Sequence, residues 1–344
     1  MNKLPRGKIR IIGIVLGFIS VPSASFAHHA FVGIFDMSNV TEFRGEITRL
    51  MWRNPHVRFT MKTADGRSLN VETNSLSILR RMDVTPDLMA EGDSIAVAGF
   101  LARNGDNEMW VNNILLSDGR ELVTRPGVAP HWSDEHLGSS EYWLAGGTKV
   151  DDSGVEELGV FRVWSTRFNG PGRYMWLDEY PFTEAAALAR DAFNPLVDRP
   201  FEDCTPKGMP WIMEQPYPVE FTQNGENILF HIEEYDLVRT IHLNAPIDEH
   251  APPSLLGHSV GYWDEDDLVV STRSVNGRYF DSTGIPQSQE ATYVERFSLT
   301  DDGDALDYTI TVMDPVNFTE PVTLNKQWVW RPGETVKPYE CTNY

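Results

Sequence analysis

A polar-tipped hairpin at residues 256–272 constrains the fold of this chain more than any other stretch. Apolar and polar residues alternate along its first half, four consecutive acids occupy residues 264–267, and an apolar run from Leu268 to Val270 follows them. Alternation with a period of two is typical of a β-strand, and four adjacent acids indicate a solvated turn. The stretch therefore predicts two antiparallel strands rather than a helix.

Other runs in the C-terminal part share this pattern. They are Tyr217–Thr222, Ile228–Glu233, Val238–Leu243, Tyr293–Leu299, Leu306–Val312 and Val322–Trp330. Together with the hairpin they make about eight strands, which is enough to close a sheet. We therefore expect a larger antiparallel, lipocalin-like β-barrel over residues 208–344, which would hold either side chains or one small ligand. Its aromatic residues either line such a cavity or form a packed core.

The region after residue 28 predicts a smaller domain. Short alternating segments occur around Phe43–Ile47, Val57–Met61, Leu69–Val71, Ile95–Gly99 and Trp110–Leu116. A helix capped by Ser75 is expected between the third and fourth strands. This order of elements is that of the five-stranded OB barrel. We assign residues 28–118 to an OB-like domain.

Residues 119–207 are expected to form an irregular connector. One strand at Val160–Phe168 and one helix from Thr183 to Ala192, stopped by Asn194-Pro195, are its regular elements. The predicted fold class is thus all-β, with a small OB-like five-stranded barrel, a larger antiparallel barrel and one or two short helices.

The first 27 residues predict export. Four basic residues precede an apolar run from Ile11 to Val21, and Ser25-Phe26-Ala27 fits a small-x-small cleavage site. A single membrane anchor is the alternative, but the run is shorter than the roughly 20 residues that span a bilayer. We expect residues 1–27 to be a signal peptide and the protein to be periplasmic or secreted. In that oxidising setting Cys204 and Cys341, the only cysteines, form one disulfide or remain two free thiols.

The net charge and the absence of several motifs narrow the range of possible functions. The formal net charge is −21, and residues 1–27 hold four of the 29 Lys and Arg and none of the 50 Asp and Glu, so their removal gives −25. So negative a chain is a poor partner for nucleic acid or anionic membranes. The sequence also lacks a phosphate-binding glycine loop, a Gly-x-Ser-x-Gly elbow, a His-Glu-x-x-His helix and a Cys-x-x-Cys pair. We therefore expect no nucleotide cofactor, no serine-hydrolase chemistry and no structural zinc.

Two resemblances cover much of the chain. Short motifs beginning with His28-His29-Ala30-Phe31 and including the Asn54-Pro55-His56 step resemble an exported bacterial domain family of unknown function over residues 28–118. The C-terminal part resembles a second uncharacterised β-barrel family. The motifs that carry this second resemblance include Gly208-Met209-Pro210, Glu234-Tyr235, Arg239, Gly257-His258-Ser259 and Glu295-Arg296-Phe297. Relatives of that kind often have histidines near the positions of Gln287 and Thr292, so this chain departs from the pattern there.

The predicted mature N-terminus is a candidate copper site. Cleavage after Ala27 would give His28 a free α-amine, which together with an imidazole nitrogen chelates Cu²⁺. His29 or His56 could supply another nitrogen, and the start resembles those of periplasmic copper carriers and copper monooxygenases. The alternative is a polar start with no metal role. Metal candidates are thus His28, His29 and His56, with copper as the one cofactor considered.

A second candidate site lies in the predicted C-terminal barrel. Its residues are Glu234, Tyr235, Arg239, His258, Tyr293 and Glu295. A desolvated carboxylate can act as a base and a nearby His or Tyr as an acid. The sequence therefore predicts an exported, cofactor-independent lyase, isomerase or hydrolase acting on a small apolar or aromatic molecule. The alternatives are a periplasmic ligand carrier or a copper-binding protein, and the same polar residues could be structural ion pairs.

Overall fold

Two closed β-sheets contain nearly all the regular structure of the chain. The computed structural model describes residues 33–105, 107–138, 158–167, 172, 174–198 and 204–343. The predicted signal peptide lies outside these residues. No helix within them has the length and apolar character needed to cross a bilayer.

The first sheet contains the predicted small barrel. Its strands are β1 (Thr41–Met51), β2 (Arg58–Thr63), β3 (Ser68–Glu72), β4 (Ser94–Leu101) and β5 (Glu108–Leu115), with β6 (Glu121–Val123) and β7 (His136–Leu137) extending one edge. The strand order is β3-β2-β1-β4-β5-β6-β7, and a parallel pairing of β3 with β5 closes the first five strands into a barrel. The predicted order of three strands, a helix and two strands is confirmed.

The helix of this barrel forms where its capping signal places it. Helix α1 (Leu76–Arg81) begins after Ser75, whose Oγ accepts a hydrogen bond from the Ile78 N–H at 3.2 Å. This bond satisfies one of the donors that a helix N-terminus leaves unpaired. Leu76 and Leu79 are buried against the barrel, and each apolar side chain removed from water in this way contributes about 1.5–3 kcal/mol to folding.

The second sheet is a closed barrel of nine strands. They are β8 (Val163–Thr166), β9 (Val219–Asn224), β10 (Asn227–Ile232), β11 (Leu237–Leu243), β12 (His258–Asp264), β13 (Asp267–Arg273), β14 (Thr292–Leu299), β15 (Ala305–Met313) and β16 (Val322–Trp330). Each strand pairs with its neighbours in chain order, and β8 lies between β16 and β9. The predicted hairpin is β12 and β13. The larger barrel is confirmed, with β8 as a ninth strand.

One pair of strands in this barrel is parallel. An odd number of strands cannot close with every neighbour antiparallel, and here β11 and β12 run in the same direction. Parallel neighbours need a connection of about a dozen residues or more, because the chain must return to the starting end. The loop 244–257, which contains three prolines, provides that return. The purely antiparallel barrel expected from the sequence is therefore a mixed one.

The interior of the nine-stranded barrel is packed with aromatic rings. Phe221 lies 4.4 Å from Phe230 and 5.1 Å from Phe297 between ring centroids. Tyr308 continues the contacts, with its centroid 4.9 Å from that of Phe297 and 5.1 Å from that of Trp328. All five side chains are buried. At this level of the barrel, side chains occupy the volume where a ligand was expected.

Short helices cover part of the second barrel. Helix α2 (Glu184–Ala192) begins after Thr183, which caps it through the Ala186 N–H, and α3 (Pro195–Asp198) follows. The helix predicted at residues 183–192 is thus confirmed. The predicted domain boundaries at residues 118 and 207 stay predictions. Strands β6 and β7 continue the first sheet beyond residue 118, and β8 belongs to the second barrel.

Several contacts tie the two barrels together. Arg81 of α1 donates two hydrogen bonds of 2.7 Å to the carboxylate of Glu233, and both side chains are buried. Asn54 accepts a bond from the Leu76 N–H and donates to the Tyr339 carbonyl in the C-terminal segment. The disulfide proposed from the sequence joins Cys204 to Cys341.

Candidate active site between the two barrels

A cleft of about 320 Å³ lies where the two barrels meet. Both barrels and the C-terminal segment contribute to its walls. Its aromatic lining consists of Phe35, Trp110, Tyr174, Trp176, Trp211, Tyr217, Tyr235 and Tyr339. A concave, largely aromatic cavity with a few polar groups between two domains is the typical setting of a small-molecule site.

The small barrel contributes an imidazole and a carboxylate. His56 follows the Asn54-Pro55 step before β2, and Glu72 ends β3. The Nδ1 atom of His56 bonds to Glu72, whose other oxygen pairs with Arg58 at 2.9 Å. Burial raises the pKa of Glu72, but the charges and hydrogen bonds of His56 and Arg58 outweigh burial and lower it. Glu72 thus remains an anion that orients the His56 ring.

The opposite wall contributes a lysine and a carboxylate. The Nζ atom of Lys207 donates to both oxygens of Glu234, at 2.7 and 2.9 Å. The same Nζ lies 5.6 Å from the centre of the Trp211 ring, within the range of a cation–π contact. Both charged side chains are largely buried. This pair places a fixed dipole beside the aromatic lining.

A third carboxylate, that of Glu214, also lines the cleft. It ends a short 3₁₀ helix at Trp211–Glu214, and its Oε2 accepts the Met175 N–H at 3.0 Å. The Nζ of Lys326, from β16, is 3.5 Å from the same oxygen. Burial raises the pKa of Glu214 and lowers the pKa of Lys326, and each partner only partly offsets this effect. A carboxyl group with a raised pKa can both accept and return a proton.

Two residues that line the cleft also have buried polar atoms without internal partners. Among the described residues, the indole N–H of Trp176 and the hydroxyl of Ser282 are buried without a hydrogen-bond partner. Burial raises the pKa of Tyr217 and Tyr339, so both phenols stay protonated. A buried donor without a partner costs free energy that a bound acceptor atom would recover. The cleft can therefore orient a ligand that carries an oxygen acceptor.

The residues predicted as catalytic do not all lie in one place. Glu234 and Tyr235 line the cleft. Arg239, Tyr293 and Glu295 are buried in the barrel, and Arg239 also lines a groove in the barrel wall together with His258. Thus the six residues do not form one cluster in the structure.

The buried part of that set forms a polar network inside the barrel. Arg239 donates from Nη1 to Glu295 Oε1 at 2.9 Å and from Nη2 to Glu295 Oε2. Its Nη2 also donates to Thr272, and its Nε donates to Ser259. Tyr308 donates its hydroxyl to Glu295 at 2.9 Å. The carboxylate and guanidinium are thus well supplied with partners, which is the condition for burying an ion pair.

The predicted metal ligands are only partly described. His28 and His29 lie outside the described residues, while His56 lines the cleft and is oriented by Glu72. A carboxylate behind an imidazole suits a metal ligand as well as a proton carrier. Across the described ranges, no three His, Cys, Asp or Glu side chains are grouped so that they could hold a metal ion. Copper at the N-terminus stays a prediction.

Sequence reasoning missed most of the acid–base residues of the cleft, chiefly Glu72, Lys207, Glu214 and Lys326. One sequence signal could have identified Glu214, which directly follows the apolar run Trp211-Ile212-Met213. An acid in that position either marks the end of the buried segment or is itself buried. Lys326 is in phase with the buried residues Leu324 and Trp328 along β16 and so faces the interior. Nothing in the sequence showed that these residues meet.

Comparisons with known proteins identify only the N-terminal part. Residues 16–110 match a family of unknown function, DUF6152, which agrees with the resemblance found in the sequence for this region. No curated protein matches the chain. Among solved structures, the crystal structure of TiaS in complex with an isoleucine tRNA and ATP is 19% identical over 23% of this chain and 18% of that one, with a TM-score of 0.19. A likeness that low carries no functional argument.

Proposed function

We propose that this protein is an exported enzyme that moves protons on a small, largely apolar or aromatic molecule without a cofactor. The cleft between the barrels is its active site, and the reaction is an elimination, an isomerisation or a hydrolysis. The observation that carries the proposal is the position of Glu214. It is a buried carboxyl group of raised pKa in a wall that also contains Trp176 and Trp211.

The walls of the cleft bind and orient the molecule. The indole and phenol rings hold its apolar body, while Trp176 Nε1 and Ser282 Oγ donate to an oxygen of the ligand. The volume of about 320 Å³ is at the lower end of the range of ligand sites. This combination favours a compact molecule with one apolar face and at least one oxygen acceptor.

The charged groups carry out the chemistry. Glu214 takes a proton from the bound molecule, and Lys326 positions the carboxylate and limits the rise of its pKa. His56, oriented by Glu72, supplies a proton from the other wall, and the Lys207–Glu234 pair stabilises charge that develops between them. General acid–base catalysis of this kind accelerates a step by about 10²–10⁴-fold.

The proposed location is the periplasm or the outside of the cell. Its supports are the charge pattern of residues 1–27 and the disulfide between Cys204 and Cys341. Disulfides persist in oxidising compartments and are rare in the cytosol.

A ligand carrier is the second candidate. The same aromatic walls and unpartnered donors favour tight binding whether or not a reaction follows. The two functions differ in the role of Glu214, because a carrier needs no proton acceptor. Replacement of that one residue therefore separates them.

The test begins with the bound molecule. Native mass spectrometry of protein purified from its own source identifies a retained ligand, and displacement of the neutral probe N-phenyl-1-naphthylamine measures binding in the cleft. Trp211→Ala is expected to retain less of the ligand and to bind the probe more weakly. Unchanged probe affinity in this variant would show that the cleft is not the binding site.

Turnover of the identified molecule then tests Glu214. Glu214→Gln is expected to lower kcat by about 10²–10⁴-fold, whereas the control Glu226→Gln, on the exposed turn after β9, leaves kcat unchanged. In the wild type, activity is expected to rise with pH as Glu214 loses its proton, at a pKa above 4.5. In Lys326→Met this rise in activity should occur at higher pH, because the positive charge that lowers the pKa of Glu214 is lost. Full turnover in Glu214→Gln would exclude the mechanism, and binding without turnover in the wild type would identify a carrier.

A further inference from the structure

A groove of about 410 Å³ opens in the wall of the second barrel, and none of its described lining residues also lines the cleft. It lies at the parallel pairing of β11 and β12, which extends over only three residue pairs, from Ile241–Ser259 to Leu243–Gly261. Before that point the two strands diverge. The groove is lined by residues 238–240 and His242 on one side and by residues 254–259 on the other.

Two histidines face this groove side by side. Ile241 and Ser259 point into the barrel and are buried, so alternation along the strands directs His242 and His258 to the outer side. The two imidazole rings have centroids 5.2 Å apart and planes inclined by 28°. The sequence alone does not predict this contact between the two rings, because the contact depends on the parallel register of β11 and β12.

The spacing of the rings fits two ligands of one metal ion. An imidazole nitrogen lies about 2.0–2.1 Å from a bound Zn²⁺ ion, so two imidazoles at a tetrahedral angle have centroids about 5 Å apart. The observed separation of 5.2 Å is therefore close to that of a bound pair.

Hydrogen bonding prepares one ring for this role. His242 Nδ1 is 3.1 Å from Asn227 Oδ1. An amide oxygen only accepts, so the proton is on Nδ1 and the lone pair on Nε2. Metal-bound histidines commonly have their second nitrogen held by such an acceptor. The side chain of Asn227 thus fixes the tautomer that a metal requires.

The second ring has a nitrogen that no described residue satisfies. His258 Nε2 is buried and lacks a hydrogen-bond partner within the described ranges. Leaving a buried polar atom without a partner is costly. A metal ion bound between the two Nε2 atoms would remove that cost.

We propose that His242 and His258 form a binding site for a divalent transition-metal ion. Imidazole ligands suit Zn²⁺, Ni²⁺ and Cu²⁺ rather than Mg²⁺ or Ca²⁺. The groove beside the rings leaves room for water or an external anion to complete the coordination, and the formal net charge of −21 favours cation binding. This site is independent of the function proposed for the cleft.

Titration with Zn²⁺ alone tests the proposal. Calorimetry compares the wild type with His242→Ala and His258→Ala, and Cu²⁺ is avoided because the predicted N-terminal site would compete for it. His231→Ala is the matched control, because His231 lies on neighbouring strand β10 and bonds to Thr222 instead of facing the groove. Any zinc bound at the N-terminus is common to all these proteins and cancels in the comparison.

We expect the wild type and the His231 variant to bind one more zinc ion than either groove variant. Asn227→Ala should retain the site with about 10–100-fold weaker affinity, because only the orienting partner is lost. Equal thermal midpoints of the metal-free proteins would exclude misfolding, and His→Gln versions provide a second pair if an alanine variant unfolds. Unchanged stoichiometry and affinity in both groove variants would overturn the proposal.

Discussion

The ion pair inside the second barrel offers the sharpest test of how buried charge is stabilised in this fold. The Arg239 and Glu295 side chains are 1% and 0% exposed, and Glu295 is the only carboxylate that Arg239 contacts among the described residues. In Glu295→Ala the guanidinium stays buried without its counterion. Loss of one partner of such a pair costs about 3–5 kcal/mol of unfolding free energy.

Removing both charges should cost far less. Replacing a buried pair by apolar residues of similar volume is often neutral, or stabilising by about 1–4 kcal/mol. We expect Arg239→Met combined with Glu295→Leu to recover most of the stability lost in either single variant. Tyr308 donates its hydroxyl to Glu295, so adding Tyr308→Phe removes a buried donor that would otherwise lose its acceptor.

Urea unfolding followed by tryptophan fluorescence measures these differences. A loss of about 3 kcal/mol moves the midpoint by about 1 M where the slope is about 3 kcal/mol/M. Arg296→Ala is the control, since Arg296 lies next in sequence but on the outer face, where it pairs with Asp264 and Asp267. Its midpoint should barely change. A single variant at Glu295 as stable as the wild type, or a double variant no better than the singles, would refute the reasoning.

Three further predictions follow from other parts of the chain. Burial raises the pKa of Glu121, but backbone N–H groups of residues 131–133 outweigh it and lower the pKa. The wild type should therefore have a higher free energy of unfolding than Glu121→Gln, with the full difference present above pH 4.5 and lost as pH falls through the lowered pKa of Glu121. A difference that persists in acid would contradict this. Reduction of the Cys204–Cys341 bridge, which spans 137 residues, should cost about 4–5 kcal/mol by loop entropy, and an unchanged unfolding midpoint in the double serine variant would argue against it. A mature chain that starts at His28 should bind one Cu²⁺ ion by calorimetry, and a glycine added ahead of His28 should abolish binding; equal affinity in both forms would end the copper hypothesis.

Much of the fold was predictable because alternation and capping are local signals. In β15, Leu306, Tyr308, Ile310 and Val312 are buried while the residues between them are not, and this is the pattern of a strand with one face in a core. The cap at Ser75 likewise depends on a few adjacent residues. Such signals identify elements without any knowledge of their partners.

The features that escaped prediction depend on contacts between distant residues. The parallel pairing of β11 and β12 depends on the path of a 14-residue loop, from residue 244 to 257, and the sequence of either strand is compatible with both directions. Sequence reasoning groups Arg239 and Glu234 in one site because both are expected to face the cavity of the C-terminal barrel. One point of backbone geometry separates them. Tyr235 has a φ of 61°, so the chain turns there, leaving Glu234 in the cleft and Arg239 in the barrel.

If the proposed function is correct, neither barrel alone is the functional unit of this protein, because both contribute walls to the cleft. Tyr217 and Tyr339 follow the small barrel in sequence, yet both pack in its hydrophobic core, with ring centroids 5.3 Å apart. The match to the family of unknown function ends at residue 110, before either of them and before Glu214. A fragment limited to that region would expose the apolar surface that these rings cover and would lack the wall that carries the carboxyl group. Binding at the cleft therefore requires both barrels, and the Arg81–Glu233 pair stabilises their contact where the site is formed.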